Sequence, residues 1–172
     1  MTSIIDITER KQAEASLRRL AMVVTDSNDA ITVQNLKGKI SAWNRGAERM
    51  YGYTESEART TNIQETIPLP KRQETLDFMK RVLQEKVEVP SFETQRTTKD
   101  GRTLDVWMTV TRLVDEAGKP VGIATTERDI TERKRTEANL RRLAAVVIDS
   151  NDAITVQDLE GKISAWNRGA EK

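Results

Sequence analysis

The chain has 172 residues, enough for one ordinary domain with extensions, and its 28 basic and 27 acidic residues leave a formal charge of +1. A surface so balanced, with no basic block, excludes charge-driven recruitment of nucleic acid and direct contact with an anionic membrane. Cysteine and histidine are both absent, which removes disulfides, thiol nucleophiles and thiolate metal sites, and also the usual general base and the commonest metal ligand.

No apolar run approaches the ~18–20 residues of a membrane span, and the N-terminus lacks the apolar centre of a signal peptide. A cytoplasmic, reducing location is expected, with a longer parent protein still free to be membrane-anchored.

In chain order, "DITERKQAEASLRRLAMVV" at 6–24 reads as a helix, with Thr8 as its N-cap and Glu9 in the first turn. Ala13, Leu17, Leu20 and Val24 follow the 4-3-4 spacing of a short coiled-coil seam; the rival reading packs that stripe on its own domain. "AITVQNLKGKISAWN" follows as a β-hairpin, Ile31 and Val33 alternating with Thr32 and Gln34, and "NLKG" as the turn. Short helices come next: Asn44–Met50, then one opened by a capping box in "TESE" at Thr54–Glu57, then a longer one in "PLPKRQETLDFMKRVLQEK". Leu76, Met79, Val82 and Leu83 mark the buried side of the last. Residues 91–131 hold three strands joined by the turns "KDGR" and "DEAGKP", the first with the Asp-Gly hairpin signal.

After the third of these strands the chain repeats itself. Asp6–Arg49 aligns with Asp129–Lys172 at an offset of 123, and only 8 of the 44 paired positions differ: 12, 13, 16, 22, 25, 35, 37 and 49. The seam recurs at Thr136, Leu140, Leu143 and Val147. Residues 50–128 have no second copy. The chain therefore reads as one full module, its flanking linkers and the first third of another, cut from a longer tandem array. The expected organisation is a linker helix at 1–21, a complete domain at 22–131, a second linker helix at 132–150 and a truncated domain at 151–172.

The element order β-β-α-α-α-β-β-β, with "ISAWNRGAERMYGY" at 40–53, "TTKDGRTLDVWMTVTRLVDEAGKPVGI" at 97–123 and "ERDITERK" at 127–134, resembles the PAS sensor-domain family, in its bacterial tandem "S-box" form. The match covers about 22–131 in full and about 145–172 as a fragment. The resemblance implies an α+β fold: a five-stranded antiparallel sheet with helices on one face, flanked by N- and C-terminal signalling helices. It also implies pairing of the terminal helices into a homodimer, and relay of a signal to an output domain outside this chain, such as a histidine kinase of a two-component system or a diguanylate cyclase. "DITERK" would mark the exit of each PAS module into its connecting helix.

Haem-binding members of the family ligate iron through histidine, so haem is not expected here. The photochemistry of light-oxygen-voltage members needs a cysteine and is excluded. A non-covalent metabolite, fatty acid or flavin stays open as the alternative to a ligand-free relay. A filled core would favour the relay and a cavity the sensor.

Alternation places Leu104, Val106, Met108 and Val110 on one face of their strand and Asp105, Trp107, Thr109 and Thr111 on the other. It likewise groups Ile123, Thr125 and Glu127. The candidate pocket is Ile31, Val33, Val106, Met108, Val110, Ile123, Thr125 and Glu127. By resemblance, Glu127 falls where light-oxygen-voltage domains place a flavin-contacting glutamine. Facing inward beside Val106 and Met108, it would need a partner or a raised pKa; the alternatives are a solvated strand end or an arginine partner. Trp43, Asp129, Ile130 and Thr131 form a candidate signalling latch, with the Trp43 indole donating to Asp129. Trp107 would be exposed on the outer sheet face and covered by the N-terminal helix or a partner chain. No catalytic or metal-binding residue is expected. The partial copy at 153–167 cannot bury a sheet face alone, so it is expected to be mobile or docked on another chain, by exchange with 30–44.

Overall fold

The computed structural model describes residues 2–84 and 89–171, with side chains from Arg10 onward. It forms two units, Met1–Ile130 and Thr131–Lys172.

In the first unit, helix α1 (Thr2–Asp26) precedes strands β1 (Ala30–Asn35) and β2 (Ile40–Trp43). Then come α2 (Arg45–Tyr51), α3 (Glu55–Thr60), 3-10 turns at Ile63–Thr66 and Leu69–Lys71, and α4 (Arg72–Gln84). The sheet is completed by β3 (Phe92–Thr97), β4 (Thr103–Val114) and β5 (Pro120–Asp129). It is a five-stranded antiparallel sheet in the order β2-β1-β5-β4-β3, so the last strand lies between the first and the fourth.

Local chemistry explains the elements. Asn44 caps α2 by accepting from the Ala47 amide, and Thr54 and Glu57 close the expected capping box on α3. The three hairpins of the first unit use one design: in Asn35–Lys39, Thr98–Arg102 and Asp115–Lys119 the first and last residues share a backbone bond, and a glycine donates back to the first residue. In the "KDGR" turn that glycine, Gly101, has φ +82°, which an L side chain resists. The long helix starts later than expected. Pro68 and Pro70 supply no N–H and restrict their predecessors, so Leu69–Lys71 forms a 3-10 turn and α4 begins at Arg72. Glu85 and Lys86, its expected end, lie outside the described residues.

One feature of α1 corrects the expectation, and a second goes against the rival reading of its stripe. The helix begins at Thr2, so Thr8 lies inside it rather than capping it. Its stripe is not packed on the domain: Ala13, Leu17, Leu20 and Val24 are all exposed, Leu17 and Leu20 by about two-thirds. Within the second unit, α5 (Thr131–Ile148) starts at Thr131, directly after β5, and its Leu140, Leu143 and Val147 are exposed as well. There β6 (Thr155–Gln157) and β7 (Ile163–Trp166) repeat the β1–β2 register residue for residue, Thr155 opposite Trp166 as Thr32 is opposite Trp43. Every residue of that hairpin is exposed.

The core of the first unit has two apolar clusters. Ala30, Ile40, Trp43, Ala47, Tyr51, Ala58 and Ile63 form one; Val82, Met108, Val110 and Ile123, with Phe78 and Phe92 against them, form the other. Trp107 is 43% exposed on the opposite sheet face. Among the described residues no helix is long and apolar enough to cross a membrane.

Candidate functional site

The inner face of the sheet carries a polar group between the two apolar clusters. β5 turns Ile123, Thr125 and Glu127 inward, β4 turns Leu104, Val106, Met108 and Val110 inward, and all are buried. β3 contributes Arg96, and the last residue of α2 is Tyr51, each only 1% exposed.

Glu127, 1% exposed, accepts three hydrogen bonds: from the Tyr51 hydroxyl, from Arg96 Nε at 3.2 Å and from Thr125 Oγ1 at 2.8 Å. Because the one hydroxyl proton of Thr125 goes to Glu127, Thr32, 2.8 Å away, donates to Thr125. The Arg96 guanidinium also donates to the Gln95 carbonyl at 3.4 Å and lies 2.9 Å from Met108 Sδ. Tyr51 belongs to the first apolar cluster and Met108 to the second, so this network joins the two halves of the core.

The network is electrically self-contained. Burial works against the Arg96 charge, but the adjacent Glu127 carboxylate and Tyr51 oxygen outweigh it, and Arg96 is held even more firmly protonated than usual. Burial first, then the Glu127 charge, pushes the Tyr51 phenol well above its ordinary range, so Tyr51 serves as a neutral donor.

Beside this network lies a cavity of about 230 Å³. Ile63, Ile67, Leu76, Met79, Leu83 and Ile123 give it apolar walls; Gln34, Arg96, Thr125 and Glu127 form its polar end. Lys37 and Lys80, both exposed, line it too, so it runs from the surface into the core. Gln34 is 5% exposed and its Oε1 has no hydrogen-bond partner.

Of the candidate pocket residues, Ile123, Thr125 and Glu127 line this cavity, whereas Val106, Met108 and Val110 are buried on the same face without lining it. Ile31 and Val33 face the other way: Ala30, Thr32 and Gln34 are the buried positions of β1. Residues directly opposite across an antiparallel pair share a face, and Thr32 is opposite Thr125. Apolarity alone pointed to the wrong side of this strand because its inner side is polar.

The latch also needs correction. The Trp43 indole N–H donates to the Tyr53 carbonyl at 3.0 Å, so it is not spent on Asp129. Asp129 is exposed, while Ile130 is buried and its amide donates to the Asp105 carbonyl at 2.9 Å, fixing the end of β5 just before Thr131. The entry to the domain is held by Asn44 instead. Its Oδ1 accepts from the Ile31 and Ala47 amides, and its Nδ2 donates to the carbonyls of Val24, at the end of α1, and of Asp29. Asp29 in turn takes a bidentate pair of bonds from Arg128, at 2.9 and 2.8 Å.

Arg96, Tyr51 and Gln34 were not singled out from sequence. A signal for Arg96 was present, since alternation in "FETQRT" puts it on the face of Phe92. Nothing in the sequence pairs it with Glu127, 31 residues away.

Fold and site together define a PAS sensory domain, and residues 28–132 match the PAS domain family. The chain belongs to that family. Among curated proteins it is similar to the sensor protein FixL of Bradyrhizobium diazoefficiens, 26% identical over 162 residues, with 84% of this chain but only 30% of FixL covered; the chain thus spans less than a third of that relative. Among solved structures it is similar to a PAS domain from Colwellia psychrerythraea, 27% identical with a TM-score of 0.61, over 67% of this chain and 98% of that one. It shares its fold with the PAS domain of an HTR-like protein from Haloarcula marismortui, 24% identical with a TM-score of 0.59, over 72% and 98% of the two chains.

Proposed function

We propose that this chain senses a small molecule and relays its binding, as a homodimer, to an output domain elsewhere in the parent protein, a histidine kinase. One observation carries the reading: β5 supplies Ile123, Thr125 and Glu127 to the cavity wall and the chain enters α5 four residues after Glu127. Occupying the cavity would bear on the strand that leads into the exit helix.

The cavity favours a ligand sensor over a ligand-free relay. A cavity of about 150 Å³ suffices for benzene, so one of about 230 Å³ suits a small molecule rather than a haem or a flavin. Dimerisation would use the exposed seams, Leu17, Leu20 and Val24 on α1 and Leu140, Leu143 and Val147 on α5, together with the outer sheet face at Trp107. A cytoplasmic setting, without nucleic acid or membrane contact, belongs to the same reading.

Sedimentation velocity on the full chain tests the dimer. The wild type should sediment as a dimer, and Leu140→Lys with Leu143→Lys should give a monomer with an unchanged melting transition of the sheet domain. A monomeric wild type would refute pairing through these helices.

A further inference from the structure

The connection between α1 and β1 is held at every residue. Ser27–Asp29 has the polar, turn-forming composition of a slack linker. Yet Arg49 Nη2 donates to the Ser27 carbonyl at 3.1 Å and to Asn28 Oδ1 at 3.3 Å, and Asn44 Nδ2 donates to the Asp29 carbonyl at 3.0 Å. The same Asn44 nitrogen donates to the Val24 carbonyl in the last turn of α1 at 2.9 Å. Asp29 is held a second time, through its carboxylate, by Arg128 of β5.

The second unit separates these two attachments. Asn167 repeats the Asn44 knot: its Oδ1 accepts from the Ile154 amide at 2.8 Å and the Ala170 amide at 3.2 Å, and its Nδ2 donates to the carbonyls of Val147 at 3.0 Å and Asp152 at 2.9 Å. Among the described residues that unit has two strands only, β6 and β7. A helix end and its hairpin therefore build the knot with no counterpart of β5. In the first unit the backbone ladder between β1 and β5 ends at Ala30 opposite Glu127. The Arg128–Asp29 pair carries the connection one residue further, onto the residue whose carbonyl Asn44 holds. The Arg128 side chain is 68% exposed, and a pair so open to water adds little to stability. Its two parallel bonds fix relative position instead.

We propose that Asp29 is a mechanical joint, tied through Asn44 to the end of α1 and through Arg128 to the end of β5, so that a movement imposed on α1 reaches the exit of the domain without passing through the cavity. Two residues after Arg128, the Ile130 amide is fixed to the Asp105 carbonyl, and α5 starts at Thr131. The end of β5 then receives two inputs, occupancy of the cavity and the position of α1. Val24, Asp29, Asn44 and Arg128 are not among the residues that line the cavity, so the joint stands or falls apart from the sensory reading.

Amide hydrogen exchange followed by NMR on the full chain tests the joint, read at the last turn of α1, at Ile130, and at Ile154 in the second knot. Arg128→Gln, at a residue bonded to Asp29 and not to α1, should speed exchange in the last turn of α1 about twofold to fivefold, the range of one exposed ion pair. Ile154 should not change. Asp29→Asn, which keeps the side chain's shape and removes its charge, should act in the same way. Coupling is mutual, so loosening α1 at its exposed Ala21 with Ala21→Gly should speed Ile130 in wild type but not in Arg128→Gln. The joint is overturned if Arg128→Gln quickens Ile130 while α1 exchanges as in wild type, or if Ala21→Gly acts on Ile130 equally in both backgrounds. Uniformly faster exchange throughout β4 in Arg128→Gln would also overturn it, because the pair would then be a support of the whole fold.

Discussion

Arg96 Nε lies 3.2 Å from Glu127 Oε2, with β4 between the strands that carry them and both side chains 1% exposed. An ion pair this deep is weak evidence for stability as a whole, because removing both charges from water offsets their attraction. Breaking it on one side is different, since the surviving charge is stranded.

Arg96→Met should therefore destabilise the domain by about 3–5 kcal/mol. Arg96→Met combined with Glu127→Leu should recover most of that loss. Urea unfolding of the single and double variants gives the comparison. A single variant no less stable than the double would show that the pair is not energetically closed.

Tyr51 makes the same network sensitive to alkali. Its folded pKa is raised well above the ordinary phenol value of about 10, so the folded state holds its proton where the unfolded chain releases it. Stability from this group is intact below about pH 10 and falls as the pH rises past it. The phenolate absorbance of wild type minus that of Tyr51→Phe should stay flat in the native state and appear only on unfolding. A difference signal growing with a midpoint near pH 10 in folded protein would contradict the burial argument.

Asn44 ties the end of α1, the start of β1 and the N-terminus of α2 into one knot through four bonds of 2.8–3.0 Å. Asn44→Ala should cost about 2–4 kcal/mol, from the lost cap and the stranded backbone groups. Gly46→Ala should be comparably harmful, because a Cβ there would sit 2.2 Å from the Asp29 carbonyl oxygen. Hydrogen exchange should reveal faster opening of the end of α1 in Asn44→Ala. Unchanged melting in both variants would dismiss the knot as an anchor.

Asp29 should shape the acid limb of stability. The hydrogen bond from Arg128 is the main cause holding its carboxyl below the usual range; partial burial opposes this and the Arg128 charge adds to it. A depressed folded pKa contributes stability above the unfolded value, near pH 4, and that contribution disappears as the pH falls through the folded one. Asp29→Asn should be less stable than wild type at pH 7, with the gap closing below pH 4 or so. A gap that stays constant with pH would assign the effect to packing instead.

Much of the fold was legible because it is set locally. The turn glycines, the "TESE" box and the alternation of "TLDVWMTVT" each act within a few residues, and each describes its element correctly. The site was only half legible. Glu127 stood out as a carboxylate on a face shared with Ile123, yet its partners Tyr51 and Arg96 come from α2 and β3, and only the sheet order brings them together.

What the sequence determined by itself is the identity and order of the elements, the duplication of 6–49 in 129–172, and the absence of histidine and cysteine chemistry. Those follow from short-range sterics, hydrogen bonding and composition. The tertiary structure alone decided which side of β1 faces the core, because the register with β5 puts Thr32 against Thr125 and leaves Ile31 and Val33 outside. It alone decided that Trp43 bonds Tyr53 rather than Asp129, and that Gln34 borders a cavity with its oxygen unpaired. The physical reason is the same in each case: what a buried group meets, or fails to meet, is set by the packing of distant strands and helices, and no local pattern encodes that meeting.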